Sequence, residues 1–513
     1  MRLIPLLCCL VWAAVALPAA TSRYLLTWRD DPATTMVVSW EQISGSDERL
    51  YYDTTDHGSD LAAYGQSAAP SLAQTVFGTD RRLVRLTGLQ ADTAYHCVVA
   101  DSGGVGQSFW FRTGPDQAQS FSLIAGGDSR NNRSPRQLAN SLVAKLRPLA
   151  VLFGGDMTDK NSDAEWQDWL DDWQLTRSDD GRMYPVLAAR GNHDRDPSIH
   201  DLFDTPRTTN YYVTSFAGGL LRVYTLNSEI PAGGDQRAWL ADDLAAQSAT
   251  FLLAQYHKPM RPHVSKKSEG DDEYGNWAQL FFDHGMDLVV ECDSHTVKRT
   301  WPLRPDTGTG SSEGFVRDDD AGTVYIGEGC WGAPLRSSDD GKPWTAAKDR
   351  FNQVNWLHVH ADRIEVRTVK VDNADQADAV TDVDPFTPPA GLELWQPASG
   401  TVVTIDADSG GNNAPVIEDG FPRASPSEVD GDTTTLAVEA SDPDGDNLSY
   451  SWTTTSAPAG ANPLIGAGED PIVTFDYDGD YTFTVLVNDG SSSTSGSVDV
   501  IVVQTATGLS ILP

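Results

Sequence analysis

Sulfur is scarce in this sequence: of 513 residues, five are cysteine and six methionine. Cys8 and Cys9 fall in the first apolar stretch, which leaves Cys97, Cys292 and Cys330 for the rest of the chain. These three have no zinc-site spacing. Being odd in number, they allow at most one bridge, so a disulfide framework is excluded as the main source of stability. Positive charge is also in short supply, with 37 Lys and Arg against 73 Asp and Glu and a formal net charge of -36. Such a surface repels nucleic-acid phosphates and anionic lipid, so no nucleic-acid scaffold is expected. Solubility of a secreted protein is the plain reading of the acidity. After the first twenty residues no long apolar run exists, so no membrane span is expected.

The chain opens with Arg2, an apolar stretch over residues 3–16 and the small residues Ala16, Ala19 and Ala20. This order is that of a secretory signal peptide occupying residues 1–20, cleaved between Ala16 and Ala20. It predicts a secreted protein, extracellular or periplasmic.

At this length several domains are expected rather than one core. Over residues 22–113, short alternating segments such as "TTMVVSWEQI", "RLVRLTGL" and "TAYHCVVADS" recur at regular spacing, which predicts an antiparallel β-sandwich. From about residue 118 to 372 the rhythm changes. Apolar strands ("SFSLIAGGD", "LAVLFGGD", "YPVLAARGN", "ATFLLAQYH") alternate with helical spacing ("SPRQLANSLVAKL", "DAEWQDWLDDW", "DQRAWLADDLAAQ", "NWAQLFFDHG"). That is an α/β layered domain, with polar clusters at the strand ends where such sheets place their sites. Residues 373–411, rich in Asp, Pro, Gly and Ala, read as a linker, and 412–505 read again as all-β.

The strand-end clusters share one chemistry. "GGDSR" supplies Asp128, "GGDMTD" Asp156, "GNHD" Asn192, His193 and Asp194, "AQYHKP" His257, and "ECDSHTVKR" Asp293 and His295. Hard oxygens and imidazoles gathered from several strands suit a pair of metal ions, which would activate water and neutralise phosphoryl charge. The order GD, GD, GNH with Asp, a strand-end His and a final H-x-H-like motif closely resembles the calcineurin-like metallophosphoesterases over roughly residues 121–372. The segment "LTGLQADTAYHCVVA" with "FRTGP" resembles the fibronectin type III-like domain that precedes the catalytic domain of purple acid phosphatases. "LAVEASDPDGDNLSYSWTT" and "DGDYTFTVLVNDGSSS" resemble a PKD- or cadherin-like module.

The resemblance implies a β-sandwich, a four-layer α/β/β/α metallophosphoesterase domain and a second β-sandwich. It implies a first metal held by Asp128, Asp156 and His295, and a second held by Asp156, Asn192, His257 and Asp293. The ions would be Fe, Zn or Mn, and a bridging hydroxide would attack phosphorus. His193 would protonate the leaving oxygen and Asp194 would orient it. Arg130 stands where many family members carry a His ligand, and reads as a phosphate clamp or as a solvated loop charge.

Departures from the pattern matter. Asp293 stands where the family's H-x-H motif has its first His, and Cys292 where it has Gly, so the site is altered while keeping a hard ligand. Asp159 stands where purple acid phosphatases carry an iron-binding Tyr, so their colour is not implied. Asp159 reads as a turn or helix cap with a metal-ligand reading beside it. "LHVH" at His358 and His360 is superficially similar to the motif and reads as an ordinary strand. His263 is a weaker candidate facing substrate; His200 and His284 read as structural. "DPDGD" at Asp442, Asp444 and Asp446 admits a calcium ion or a solvated turn. Three free thiols is the plainer reading of the cysteines, and a Cys292–Cys330 bridge the sharper one.

The leading function is a secreted phosphoesterase of small phosphorylated substrates, with monoesters slightly favoured over diesters. The alternative is an extracellular binding or adhesion protein with a decayed phosphoesterase domain, whose C-terminal module would engage cell-surface or matrix material.

Overall fold

The computed structural model describes residues 20–503 apart from 196, 408–414, 419, 443–446 and 490–492. The expected signal peptide, save residue 20, and most of the "DPDGD" turn lie outside the described residues. The chain divides into two compact units, 1–407 and 408–513.

In the first unit, apolar alternation builds two stacked sheets. Leu123 and Ala125 of strand Phe121–Gly126, with Leu152 of Ala150–Phe153, face Leu253 of Phe251–Gln255 and Leu288 and Val290 of Leu288–Glu291 in one core. Their neighbours Ile124, Val151 and Phe153 point the other way, against the helices Arg133–Leu146 and Asp163–Trp173. Leu252, Ala254 and Val289 likewise meet the helix Gly234–Ala246 and the helical segment around Trp277 and Phe281. A period of two along each strand therefore sorts side chains into an inner core and two outer ones. The result is the helix–sheet–sheet–helix layering expected. On the helix Asp163–Trp173, Trp166, Trp169, Leu170 and Trp173 follow helical spacing and are buried, and Trp169 stacks on Trp173 at 4.8 Å. The Ser162 hydroxyl caps this helix by accepting from the Glu165 N–H.

The first sheet has ten strands. Phe121–Gly126, Ala150–Phe153 and Val186–Ala188 run parallel at its centre, flanked on one side by Gln353–Val359, Arg363–Lys370 and Val402–Asp406. On the other side Val186 pairs in parallel with Thr27 of strand Thr21–Thr27, and Met36–Gln42, Thr79–Leu86 and Leu72–Val76 continue outward. One face of the N-terminal sandwich is thus an extension of the central sheet, and its second sheet is built on Arg49–Asp53 and Ala94–Asp101. Sequence reading treated the N-terminal sandwich as a domain apart and missed this pairing, which joins edges far separated along the chain.

The stretch 373–411 expected as a linker is corrected in part. Val402–Asp406 pairs with Arg363–Lys370, and Trp395 is buried against Phe351 and Val297. Its Asp- and Pro-rich composition hides β-branched residues at 402–405 that complete the sheet edge.

The second unit has two four-stranded sheets, one carrying Thr433–Ala437 and the other Gly479–Asn488 paired with Ser493–Val502. Its core is Val429, Leu436, Val473, Phe475, Tyr481, Phe483, Val500 and Val502. Among the described residues of the whole chain, no helix is long and apolar enough to cross a membrane.

Candidate metal centre

Five strands end at one place. Asp128 follows Phe121–Gly126, Asp156 follows Ala150–Phe153, and Asn192 and His193 follow Val186–Ala188. From the second sheet, His257 follows Phe251–Gln255, and Asp293 and His295 follow Leu288–Glu291. Four of these residues, Asp128, Asp156, Asp293 and His295, have left-handed backbone with φ between 55° and 65°. Non-glycine residues seldom adopt it, and strain of this kind collects where geometry is imposed for a function. Space is equally tight. A Cβ on Gly191 would lie 2.3 Å from Asp156 Oδ1, and one on Gly329 would lie 2.2 Å from Asp128 Oδ2. The glycine of "GNHD" is required by that approach.

The side chains form two triads sharing one carboxylate. In each, one ligand atom per residue lies within 4.8 Å of the others: Asp128, Asp156 and His295 in one, and Asp156, His257 and Asp293 in the other. His295 Nε2 is 3.0 Å from Asp128 Oδ1, and His257 Nε2 is 3.4 Å from Asp156 Oδ1 and 3.7 Å from Asp293 Oδ1. Asn192 Oδ1 is 3.1 Å from His257 Nε2. All six expected ligands are therefore brought together.

The tautomers follow from the far side of each ring. His257 Nδ1 lies 2.9 Å from the Gly154 carbonyl and His295 Nδ1 3.0 Å from the Pro334 carbonyl. A carbonyl only accepts, so each Nδ1 carries its proton and donates it, and each Nε2 turns toward carboxylate oxygens. Lone pairs facing lone pairs in a buried site require a cation between them, either protons or metal. Burial of the His257 ring lowers its pKa, but the carboxylates of Asp156 and Asp128 outweigh it and raise the value well above 6.5. Asp156 is fully buried, and burial works against its ionisation; His257 and Arg130 nevertheless hold its carboxyl below the usual range. Its Oδ2 accepts no hydrogen bond, although Arg130 Nε stands 2.9 Å away in poor alignment. Hard oxygens, imidazoles fixed in the ligating tautomer and an orphaned buried carboxylate oxygen fit a metal-binding role.

The expected contact between Asp194 and His193 needs correction. Asp194 does not touch the His193 ring. Its buried carboxylate accepts the backbone N–H groups of Asp156 at 2.7 Å, Gly191 at 2.9 Å and Met157 at 3.3 Å. Burial first, and then the charge of Asp156, push the Asp194 pKa up to about 7. Two groups stand beside His193 Nδ1, the Asp159 backbone carbonyl at 2.5 Å and Arg130 Nη1 at 3.2 Å, so these and not Asp194 orient that ring. Arg130, expected as a phosphate clamp, places its Nη1 2.9 Å from Asp159 Oδ1 and its Nε 2.9 Å from Asp156 Oδ2. The Asp159 carboxylate thus faces Arg130 and belongs to neither triad.

His263, read as a weak substrate contact, is fully buried, with Nε2 2.7 Å from Thr345 Oγ1 and Nδ1 3.4 Å from Glu328 Oε1. Cys97, Cys292 and Cys330 are free and buried, so the Cys292–Cys330 bridge is not formed. Cys330 Sγ instead donates to the Thr296 carbonyl, and Cys292 packs where a Cβ on Gly154 would lie 2.3 Å from its Sγ. His358, His360 and Glu365 also cluster, but Arg367 sits among them, 2.9 Å from His358 Nδ1 and 2.7 Å from Glu365 Oε2. Residues 353–359 are the ordinary strand expected. Sequence reading missed Lys267, whose ammonium contacts Asp293 Oδ1, and Arg336, which donates to the Asp293 carbonyl at 2.8 Å. Neither belongs to a motif, and no sequence signal marks them.

Comparison with known proteins agrees with this geometry. Residues 22–113 match the purple acid phosphatase N-terminal domain, 115–297 the calcineurin-like phosphoesterases, and 423–502 the PKD domain. No curated protein matches the chain by sequence. Among solved structures, the chain is similar to the purple acid phosphatase PPD1 from yellow lupin (Lupinus luteus) seeds. That likeness has a TM-score of 0.57 and 14% identity, over 74% of this chain and 78% of that one. It is also similar to a structure of PhoD, with a TM-score of 0.53 and 10% identity over 73% of this chain and 92% of that one. At these identities the likenesses speak to the fold, and the family match speaks to the domain. The segment 115–297 is a calcineurin-like phosphoesterase domain, and the chain built around it is a metal-dependent phosphoesterase with a purple acid phosphatase N-terminal domain before it and a PKD domain after it.

Proposed function

We propose that this chain is a secreted phosphoesterase working with two metal ions, and that small phosphomonoesters are slightly favoured over diesters as substrates. The observation that carries the reading is the shared Asp156 between two triads, each with a histidine locked to present Nε2 inward. Asp128, Asp156 and His295 would hold one ion, and Asp156, Asn192, His257 and Asp293 the other. The donor set suits Fe, Zn or Mn. Two such ions, when bound, would lower the pKa of a water and neutralise charge on the phosphoryl oxygens.

The chain's own residues supply the remaining steps. Asn192 and His193 are the solvent-facing members of the site, so substrate enters on their side. His193 Nε2 stands 4.0 Å from Asp156 Oδ2, and its Nδ1 is held by the Asp159 carbonyl. A ring placed in this way presents its Nε2 to the substrate and would hand a proton from that atom to the leaving oxygen. Arg130 offsets charge on Asp156 and Asp159. Asp194 ties the loop at 156–157 to the loop at 191–194 and keeps the donors in register.

Secretion is supported by the N-terminal sequence and by the acidity of the chain, and the PKD domain is available to bind surface or matrix material. The test is metal analysis of the purified protein together with hydrolysis of a panel of phosphate mono- and diesters. Two ions per chain and turnover of monoesters support the reading. A metal-free chain that hydrolyses nothing would return the protein to the binding class.

A further inference from the structure

Asp293 is a carboxylate set between an imidazole and an ammonium. Its Oδ1 lies 3.7 Å from His257 Nε2, on the side where the second ion is proposed, and the same oxygen receives the Lys267 ammonium. Both partners are largely covered, the Asp293 side chain being 10% exposed and that of Lys267 21%. A carboxylate oxygen has lone pairs enough to serve a metal on one side and an ammonium on the other.

Lys267 is held there by its loop. The chain leaves the site at His257, turns, and returns Lys267 through a tight turn in which its N–H donates to the Val264 carbonyl at 2.9 Å. Beneath the turn, the His263 N–H donates to Glu328 Oε2 at 3.1 Å, and Ser265 N–H to Asp339 Oδ1 at 2.9 Å. Glu328 is in turn paired with the buried Lys298, at 2.7 Å, which also meets Glu291. The loop that returns the lysine is therefore tied at His263 to the buried Glu328 and at Ser265 to the exposed Asp339.

Charge accounting gives the pair a role. Asp128, Asp156 and Asp293 bring three carboxylates to the two triads. Lys267 is the cation that offsets the third of them. Resting on the two-ion reading above, we propose that Lys267 and Asp293 act as one unit at the second ion position: the ammonium cancels the charge of the carboxylate, so the pair behaves as a neutral ligand and sets how tightly that ion is held.

The experiment is chelator competition on the full chain, titrated with Zn2+ or Mn2+ alone, in the wild type and in Lys267→Met, Lys267→Arg, Asp293→His and the Asp293→His/Lys267→Met double variant. Thermal unfolding checks that each is folded. Lys267→Met should tighten the second ion by about tenfold, since a fixed positive charge beside it is gone. Lys267→Arg keeps the charge and should leave the affinity near wild type. Asp293→His with Lys267 retained should weaken that ion by about tenfold, and the double variant should return close to wild type. If Lys267→Met leaves the second ion's affinity unchanged or weakens it, the inference fails, and a raised KM with unmoved metal affinity makes the lysine a substrate contact instead. Should Asp293→His fail to fold, Lys267→Met and Lys267→Arg still decide the matter. A wild-type chain that binds fewer than two ions overturns the two-ion reading and this inference together, whereas two ions indifferent to Lys267 overturn the inference alone.

Discussion

The Asp194 carboxylate accepts the backbone N–H of Asp156 at 2.7 Å and that of Gly191 at 2.9 Å, and so fastens two ligand-bearing loops to each other. Removing it by Asp194→Ala strands these buried donors and the Met157 N–H. Each unsatisfied group costs about 1–3 kcal/mol. The variant should lose thermal stability and metal content together. An Asp194→Ala protein that keeps both while losing turnover would restore the carboxylate to direct work on His193.

His193 gives the opposite signature. Its ring lies outside both triads and faces solvent in part. His193→Ala should keep the metal content of the wild type while turnover falls by roughly 100- to 10,000-fold, as for a lost general acid. Loss of metal in this variant would make the ring a ligand.

His358 bears on acid stability. Burial, and then the charge of Arg367, lower its pKa to about 3. A group whose folded pKa is depressed contributes stability that is present above its unfolded value of 6.5 and lost as the pH falls through about 3. Within that window the loss runs at up to about 1.4 kcal/mol per pH unit. His358→Gln keeps an acceptor for Arg367 and removes the titration. Its unfolding temperature should drop less between pH 6.5 and pH 4 than that of the wild type. Parallel curves for the two proteins would contradict the assignment.

Thiol counting is direct. Denatured protein lacking its first twenty residues should titrate three thiols without reductant, from Cys97, Cys292 and Cys330. One thiol in place of three would mean a bridge that the structure does not contain.

Much of the site could be read from sequence, and for a physical reason. Ligands at strand ends sit next to apolar runs, and three of them, Asp128, Asp156 and Asn192, follow a glycine, so these and His257, Asp293 and His295 come with local context. What escaped detection depends on atoms remote in sequence. The carbonyls of Gly154, Pro334 and Asp159 fix the three rings, and any residue type could supply a carbonyl. Asp194 was assigned to its chain neighbour His193, whereas a buried carboxylate goes to whichever orphan N–H groups are closest. Lys267 lies ten residues beyond His257 in a polar loop, and nothing in "VSKKSEG" distinguishes it from a solvated charge. The folded layers were legible because strand and helix periods differ. The seam between Thr27 and Val186 was not, because parallel pairing of distant edges leaves no local mark.

That seam bears on how the protein can be divided. Cutting after residue 113 would follow the change of sequence rhythm, yet it would strip Thr21–Thr27 from the flank of Val186–Ala188 and bare the strand edge at Val186, six residues before Asn192. It would also leave Asp204 without Arg29 and Arg85, and Asp171 without Arg23. An exposed edge of this kind recruits other strands. The N-terminal sandwich is therefore a splint for the strand that leads to Asn192 and His193, and shortening the protein to its hydrolase segment would leave that edge open to self-association.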